Sequence, residues 1–299
     1  MLSVGTIIKV PGKVRKPKTA YEHIMADDED GLIHEGQNYV VHEALPSEHA
    51  DFCDLYKCDP TGFLKLARRP SDNDLLENEA KILRHLVPAN APDEKFYRYL
   101  PRVLHEVKHD ERAGNVLPYF EGHLSLAEIL KAYPAGIDFR DMVWMYKRML
   151  VGIGFAHTQG VVHGAVLPPH ILVHPTDHGA KIVDWSCAVT DPKDHIKVIF
   201  SDYEDFYPPE ILRKQPVAPT ADIFMAAKCA VALLGGDVKT NRLPDTIPAE
   251  IRDFFAPCFH EIPHHRPRDA WDLHEIFDKL LLQVVGKPTY RPFTLPEAL

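Results

Sequence analysis

The stretch Gly160-Val161-Val162-His163-Gly164-Ala165-Val166-Leu167-Pro168-Pro169-His170-Ile171-Leu172-Val173 decides how the chain is read, together with its continuation Lys181-Ile182-Val183-Asp184-Trp185-Ser186. An apolar pair meets a histidine, two prolines break a loop, and β-branched residues resume. A second short strand then ends in a carboxylate. Two short strands around a loop of special residues are a usual scaffold for a site, because rigid elements position the groups that loops carry.

Composition narrows the class. A chain of 299 residues with 45% hydrophobic and 26% charged residues reads as globular, long enough for one large domain or two lobes with sizeable cores. A net charge of −9 argues against a general nucleic-acid binder, since nothing large would neutralise phosphates. The longest apolar run, Ala230 to Leu234 with its neighbours, is far short of a membrane span. Met1-Leu2-Ser3-Val4-Gly5 lacks the charged start and long apolar core of a signal peptide. The five cysteines, Cys53, Cys58, Cys187, Cys229 and Cys258, are odd in number and scattered, which points to reduced thiols in a cytoplasmic setting.

Outward from the opening stretch, the chain changes character twice. Residues 1–36 form an N-terminal extension: Thr6 to Val10 reads as a strand, Lys9, Lys13, Arg15, Lys16 and Lys18 as a basic cluster, and Asp27-Asp28-Glu29-Asp30 as an acidic run. A docking arm and a local hairpin with solvated charges are the two readings of it. Alternation predicts strands over 39–45, 51–58 and 62–67, with Asp59-Pro60-Thr61-Gly62 as the turn between the last two. A helix over 74–86 follows, capped by Ser71 or Asp72, then strands over 100–107 and 115–120. After Gly122 the pattern turns helical. Ser125 to Ala132 is short, and Asp138 to Gln159 carries a buried stripe of Met142, Met145, Met149, Ile153 and Ala156. Ala221 to Leu234, Pro248 to Phe259 and Trp271 to Val285 complete the helices.

That order of elements resembles a protein kinase domain over about residues 37–285, and several motifs carry the likeness. Lys65 matches the lysine that pairs with nucleotide phosphates, and Glu79 the helix glutamate that salt-bridges it. Pro118-Tyr119-Phe120-Glu121-Gly122 resembles the hinge, with Leu117 at the gatekeeper position. Asp184-Trp185-Ser186 stands where the family has Asp-Phe-Gly, and Pro208-Pro209-Glu210 where it has Ala-Pro-Glu. Asp222 and Arg266 match a buried helix aspartate and the arginine that pairs with Glu210. The resemblance implies an α+β, bilobal protein-kinase-like fold: a small β-rich N-lobe with hinge over 37–122, a larger mainly helical C-lobe over 123–285, and a C-terminal tail over 286–299.

The departures concern chemistry. The family's His-Arg-Asp triplet supplies the carboxylate that accepts the substrate hydroxyl proton; here it is His163-Gly164-Ala165. The lysine that steadies the transferring phosphate is Leu167, and the asparagine that holds a second magnesium is His170. Magnesium prefers oxygen to imidazole nitrogen, so His170 reads either as a metal ligand or as a loop hydrogen-bonder, and Asp184 as the remaining metal residue. The loop over the phosphates is Pro46-Ser47-Glu48-His49-Ala50-Asp51, with no glycine and two carboxylates that repel phosphate.

The expectation is therefore a pseudokinase: a regulatory or scaffolding binding module with an unidentified protein partner, no nucleic acid and no membrane. ATP and magnesium are the cofactors the resemblance implies, and the lost donors count against both. Lys65, Glu79, Leu117, Phe120 and Asp184 would be the nucleotide-site residues. The alternative is an active ATP-dependent phosphotransferase, or a nucleotidyl transferase, using Lys65, Glu79 and Asp184. The segment from Ser186 to Pro208, with Thr190, Ser201, Tyr203 and Tyr207, is expected to be a solvated loop. Cys258 with His260, His264 and His265 lacks a clean tetrahedral ligand spacing.

Overall fold

A computed structural model describes residues 1–10, 38–45, 52–88, 95–191, 193–287 and 289–296. The basic residues Lys13, Arg15, Lys16 and Lys18, the acidic run 27–30 and the glycine-free loop 46–51 lie outside the described residues. The chain divides into two compact units, Met1–Glu77 with Val103–Tyr119 and Asn78–Arg102 with Phe120–Leu299.

The first unit is built on β1 (Ile7–Lys9), β2 (Asn38–Leu45), β3 (Cys53–Asp59), β4 (Gly62–Ala67), β5 (His105–His109) and β6 (Arg112–Leu117). They form one antiparallel sheet in the order β1-β2-β3-β4-β6-β5. The described part of the N-terminal extension thus places β1 at the sheet edge, with Ile8 opposite Tyr39. Alternation puts Ile8, Tyr39, Val41, Tyr56, Cys58, Leu64, Leu66, Val107 and Val116 into a single buried cluster.

Two local readings are corrected. The strands expected over 100–107 and 115–120 are instead His105–His109 and Arg112–Leu117, joined by Asp110 and Glu111 at φ 49° and 63°. Consecutive positive φ values make the primed turn that suits strand twist. The usual Asn-Gly signature is missing, because a side chain from elsewhere holds the turn: Asn73 Nδ2 donates to the Glu111 carbonyl at 2.8 Å, and its Oδ1 accepts from Ala113 N at 2.7 Å. Likewise Ser71 and Asp72 do not cap a helix directly. They lie in a 3-10 turn, Pro70–Asp72, ahead of α1 (Asn73–Leu86), where Arg69 binds the Asp72 carboxylate at 3.1 Å.

The second unit holds β7 (Leu124–Ser125), α2 (Leu126–Ala132), α3 (Phe139–Thr158), β8 (Ile171–Val173), β9 (Ala180–Ile182), α4 (Pro209–Leu212), α5 (Pro219–Leu233), α6 (Ala249–Phe255) and α7 (Ala270–Val284). Ser125 closes a full capping box with Glu128, and Asp138 and Asp269 cap α3 and α7. The Met142, Met145, Met149, Ile153 and Ala156 stripe is fully buried, each large side chain contributing about 1.5–3 kcal/mol. Helix α5 is buried on nearly all sides, which explains its almost unbroken apolar sequence. β7, β8 and β9 form a small antiparallel sheet that presents the loop before β8 and the carboxylate after β9.

One backbone approach sets the spacing in this unit. Gly136 and Gly235 adopt φ of +91° and +70°, and a Cβ on Gly235 would lie 2.2 Å from the Ala135 carbonyl oxygen. Both the conformation and the space exclude a side chain. Gly235→Ala is expected to lower stability by about 1–3 kcal/mol, read as a reduced urea midpoint at unchanged slope; an unchanged midpoint would refute the tight approach.

Candidate functional site

The loop between α3 and β8 is fixed through its backbone. The carboxylate of Asp222, on α5, accepts the His163 N–H on Oδ2 and the Gly164 N–H on Oδ1, each at 2.8 Å. His157 Nε2 lies 2.9 Å from the same Oδ2. His163 has both ring nitrogens committed: Nδ1 accepts from Ala165 N at 3.1 Å, so Nε2 donates to the Val183 carbonyl at 3.1 Å. That ring is fully buried against Trp185, centroid to centroid 4.4 Å, and burial lowers its pKa from 6.5 to about 4. A neutral, doubly bonded imidazole is architecture. Trp185 anchors the other side, fully buried, with its Nε1 donating to the Ile182 carbonyl at 2.8 Å.

Where the kinase resemblance places chemistry, the loop is filled. Ala165 and Leu167 are fully buried, and His170 is 4% exposed. Gly164 stands at φ +74°, and a Cβ there would meet Ile196 Cδ1 at 2.2 Å. Ile196 therefore takes up the space in which a longer side chain at position 164 would begin. The Phe200 ring packs edge-on against His170 at 4.9 Å. The expectation of a solvated loop after Ser186 holds for Thr190, Asp191, Lys193, Asp194, His195 and Lys197, which are exposed, and is corrected for the residues that anchor the segment. Ile196, Phe200, Phe206 and Tyr207 are buried, Val189 bridges Val162 by paired backbone hydrogen bonds of 2.9 Å, and Asn78 Nδ2 reaches the Ser186 and Ala188 carbonyls at 2.9 Å each. Thr190 and Ser201 remain exposed, whereas Tyr207 is buried with its hydroxyl accepting from Phe200 N at 3.3 Å. The segment ends on the buried fork between Arg266 and Glu210, at 2.5 and 3.0 Å.

Asp184 adopts the left-handed conformation, φ 61° and ψ 69°, which Asp tolerates better than most residues. Its Oδ1 accepts the Ser186 hydroxyl at 2.5 Å, and its Oδ2 lies 3.4 Å from His170 Nε2. His170 Nδ1 faces the Ala165 carbonyl at 2.8 Å. Both carboxylate oxygens are thus engaged by neighbours, and the second donor is nitrogen where magnesium wants oxygen. Among the described residues no group of three His, Cys, Asp or Glu could hold a metal ion. Asp184 and His170 do not fit a magnesium site. The same holds for Cys258, fully buried with its thiol pushed up to about 12, while His260 and His265 pair with each other at 3.2 Å.

The residues matched to nucleotide binding belong to both units and are described in each. In the first, Lys65 is 3% exposed with its ammonium 5.9 Å from the Phe52 ring centroid, and Leu117 is buried at the end of β6. In the second, Glu79 is fully buried, and Phe120 carries the Lys181 ammonium 4.8 Å over its ring. The residues missed from sequence are Asn78, His157, Ile196 and Phe200. For the last two a signal existed: Ile196, Val198 and Phe200 alternate with His195, Lys197 and Ile199, a period that marks a half-buried extended segment.

His163 binds a proton near pH 6.5 when unfolded and only near pH 4 when folded. Its contribution is complete above pH 6.5 and is lost progressively as pH falls towards 4, by about 2 kcal/mol between pH 7 and 5. Urea midpoints should therefore fall more steeply over that window in the wild type than in His163→Gln; equal slopes would show that His163 is not held neutral.

Comparisons with known proteins follow the same line. No protein-family model matches the chain. It is 24% identical over 275 residues to MAP3K epsilon protein kinase 1 of Brassica napus, covering 84% of this chain and 19% of that protein. It is 24% identical over 200 residues to calcium/calmodulin-dependent protein kinase type 1 of Caenorhabditis elegans, covering 62% and 52%. The chain thus spans between a fifth and about half the length of these relatives. Among solved structures, the crystal structure of the Mycobacterium tuberculosis PknI kinase domain, C20A mutant, superposes with a TM-score of 0.61 at 14% identity, covering 81% of this chain and 95% of that one. With its β-rich first unit and its helical second unit, the chain has a protein-kinase-like α+β fold and is similar in sequence to these protein kinases.

Proposed function

We propose that this chain works by binding rather than by phosphoryl transfer, as a cytoplasmic pseudokinase that scaffolds or allosterically regulates a protein partner. One observation carries the reading: Ile196 occupies the space over Gly164 while Ala165 and Leu167 lie buried and apolar beneath the segment. A phosphotransferase needs a proton acceptor at that point, and general-base help is worth about 10²–10⁴-fold. Ala165 offers none, Leu167 offers no cation, and the Asp184 carboxylate is already engaged by Ser186 and His170. The polar framework of Asp222, His163, Glu210 and Arg266 preserves the shape of a kinase loop without its reagents.

A second reading, ATP-dependent transfer by an altered residue set, is favoured by the burial of Lys65 and Glu79 at 3% and 0% exposure. Burying charged groups is costly unless they are paired, and keeping both is what nucleotide handling requires. A structural role inside the fold accounts equally for that burial.

Two measurements separate these readings. Thermal-shift melting with ATP should give the same result with and without magnesium or manganese, since a ligand stabilises only in proportion to its occupancy. Labelled ATP should leave no phosphate or nucleotide on the chain or on an acceptor protein above the background of Asp184→Asn. Transfer that disappears in Lys65→Met and Asp184→Asn would overturn the proposal. Replacing the missing carboxylate by Ala165→Asp should lower the melting temperature, because it buries an unpaired charge, and should produce no transfer.

A further inference from the structure

The C-terminal residues 289–296 lie in an extended run across the second unit, and their contacts are those a bound peptide would make. Arg291 forms a fork with Asp141, Nε to Oδ1 at 3.2 Å and Nη2 to Oδ2 at 2.5 Å, and reaches Asp138 Oδ1 at 3.2 Å. Both carboxylates sit at the start of α3, so the guanidinium meets two fixed anions in the bidentate geometry that gives specificity as well as attraction. Phe293 is 5% exposed, its ring centroid 5.8 Å from that of Tyr133, and its N–H donates to the Pro175 carbonyl at 3.0 Å. The Tyr133 hydroxyl donates to the Thr294 carbonyl at 2.5 Å, and His178 Nε2 donates to the Arg291 carbonyl at 2.8 Å. The Tyr290 hydroxyl donates to the Thr176 carbonyl, and its ring lies 4.9 Å from that of His178. Pro292, between the two anchors, favours the extended backbone in advance.

The surface beneath is held by contacts of its own. His178 stacks flat on Trp144 at 4.0 Å, and Arg148 ties the His178 carbonyl to the Tyr99 hydroxyl at 3.1 and 2.8 Å. Arg140 grips Asp138 at 3.1 and 3.2 Å, holding its carboxyl below the usual range. The segment itself is loosely held at its rim: Tyr290 is 64% exposed and the Arg291 side chain 39%.

We propose that this groove, made by Tyr133, the start of α3 and the turn over residues 174–179, is a peptide-docking site. It takes an extended aromatic–arginine–proline–aromatic segment from a partner protein and is filled in cis by Tyr290, Arg291, Pro292 and Phe293. Main-chain hydrogen bonds to Pro175 and from Tyr133 give affinity, while the paired carboxylates and the Phe293 pocket select the sequence. The cis segment acts as a tethered competitor at high effective concentration, so a partner binds well only when it is displaced. The proposal takes up the reading of this chain as a binding module. Its test contains no nucleotide and reads only peptide binding, so either can fail without the other.

The experiment uses the full chain and a fluorescein-labelled peptide of residues 289–296, followed by anisotropy. In the double variant Arg291→Ala/Phe293→Ala, shown to be folded by its melting curve, the peptide should bind saturably. Binding to the wild type should be at least tenfold weaker, because its own segment competes. Adding Asp141→Asn, or replacing the peptide arginine by alanine, should weaken binding at least tenfold. No saturable binding to the folded double variant would overturn the proposal, as would equal binding by wild type and variant or insensitivity to Asp141→Asn. If the double variant does not fold, Arg291→Ala alone is measured against the same criteria.

Discussion

The carboxylate of Asp222 is the interaction on which the loop architecture depends. It is fully buried and receives two backbone N–H groups and a histidine ring nitrogen, so its charge is met by directed donors. It stands in the first turn of α5, where the helix dipole also favours a negative charge. Removing it would orphan two buried amides, each costing about 1–3 kcal/mol. Because the bonds go to backbone atoms, Asp222 holds the His163–Gly164 turn without calling on a side chain at 164. That anchoring ties the start of the loop to α5 through its backbone.

The positions where the resemblance places chemistry are closely packed. Gly164 gives a backbone conformation and a space that Ile196 fills, and Phe200 packs against His170. The Arg266–Glu210 fork, with Arg266 also donating to the His260 and Glu261 carbonyls, anchors the segment where it rejoins the helices. Close packing of this kind resists opening, since each side chain released would expose apolar surface. Asp184 is held in the same way, its two carboxylate oxygens facing the Ser186 hydroxyl and His170 Nε2.

Much of the fold was legible because its signals are local. The alternation of β2, β3 and β4 and the methionine stripe of α3 each depend on residues near in sequence. The β5–β6 hairpin was misplaced because its turn is held by Asn73, far away along the chain. Of the candidate site, the departures at Gly164, Ala165, Leu167 and His170 could be read directly, since they are matters of residue type.

What surrounds those positions was decided only by tertiary structure. Ile196 and Phe200 became plugs, Asn78 became a clasp on the Ser186 and Ala188 carbonyls, and residues 289–296 became a strap. Each depends on contacts between residues many positions apart, which no local period records. The sequence by itself determined which residue types stand at the kinase-like loop positions; the packing of distant side chains decided what surrounds them, because space and hydrogen-bond partners are properties of the folded backbone.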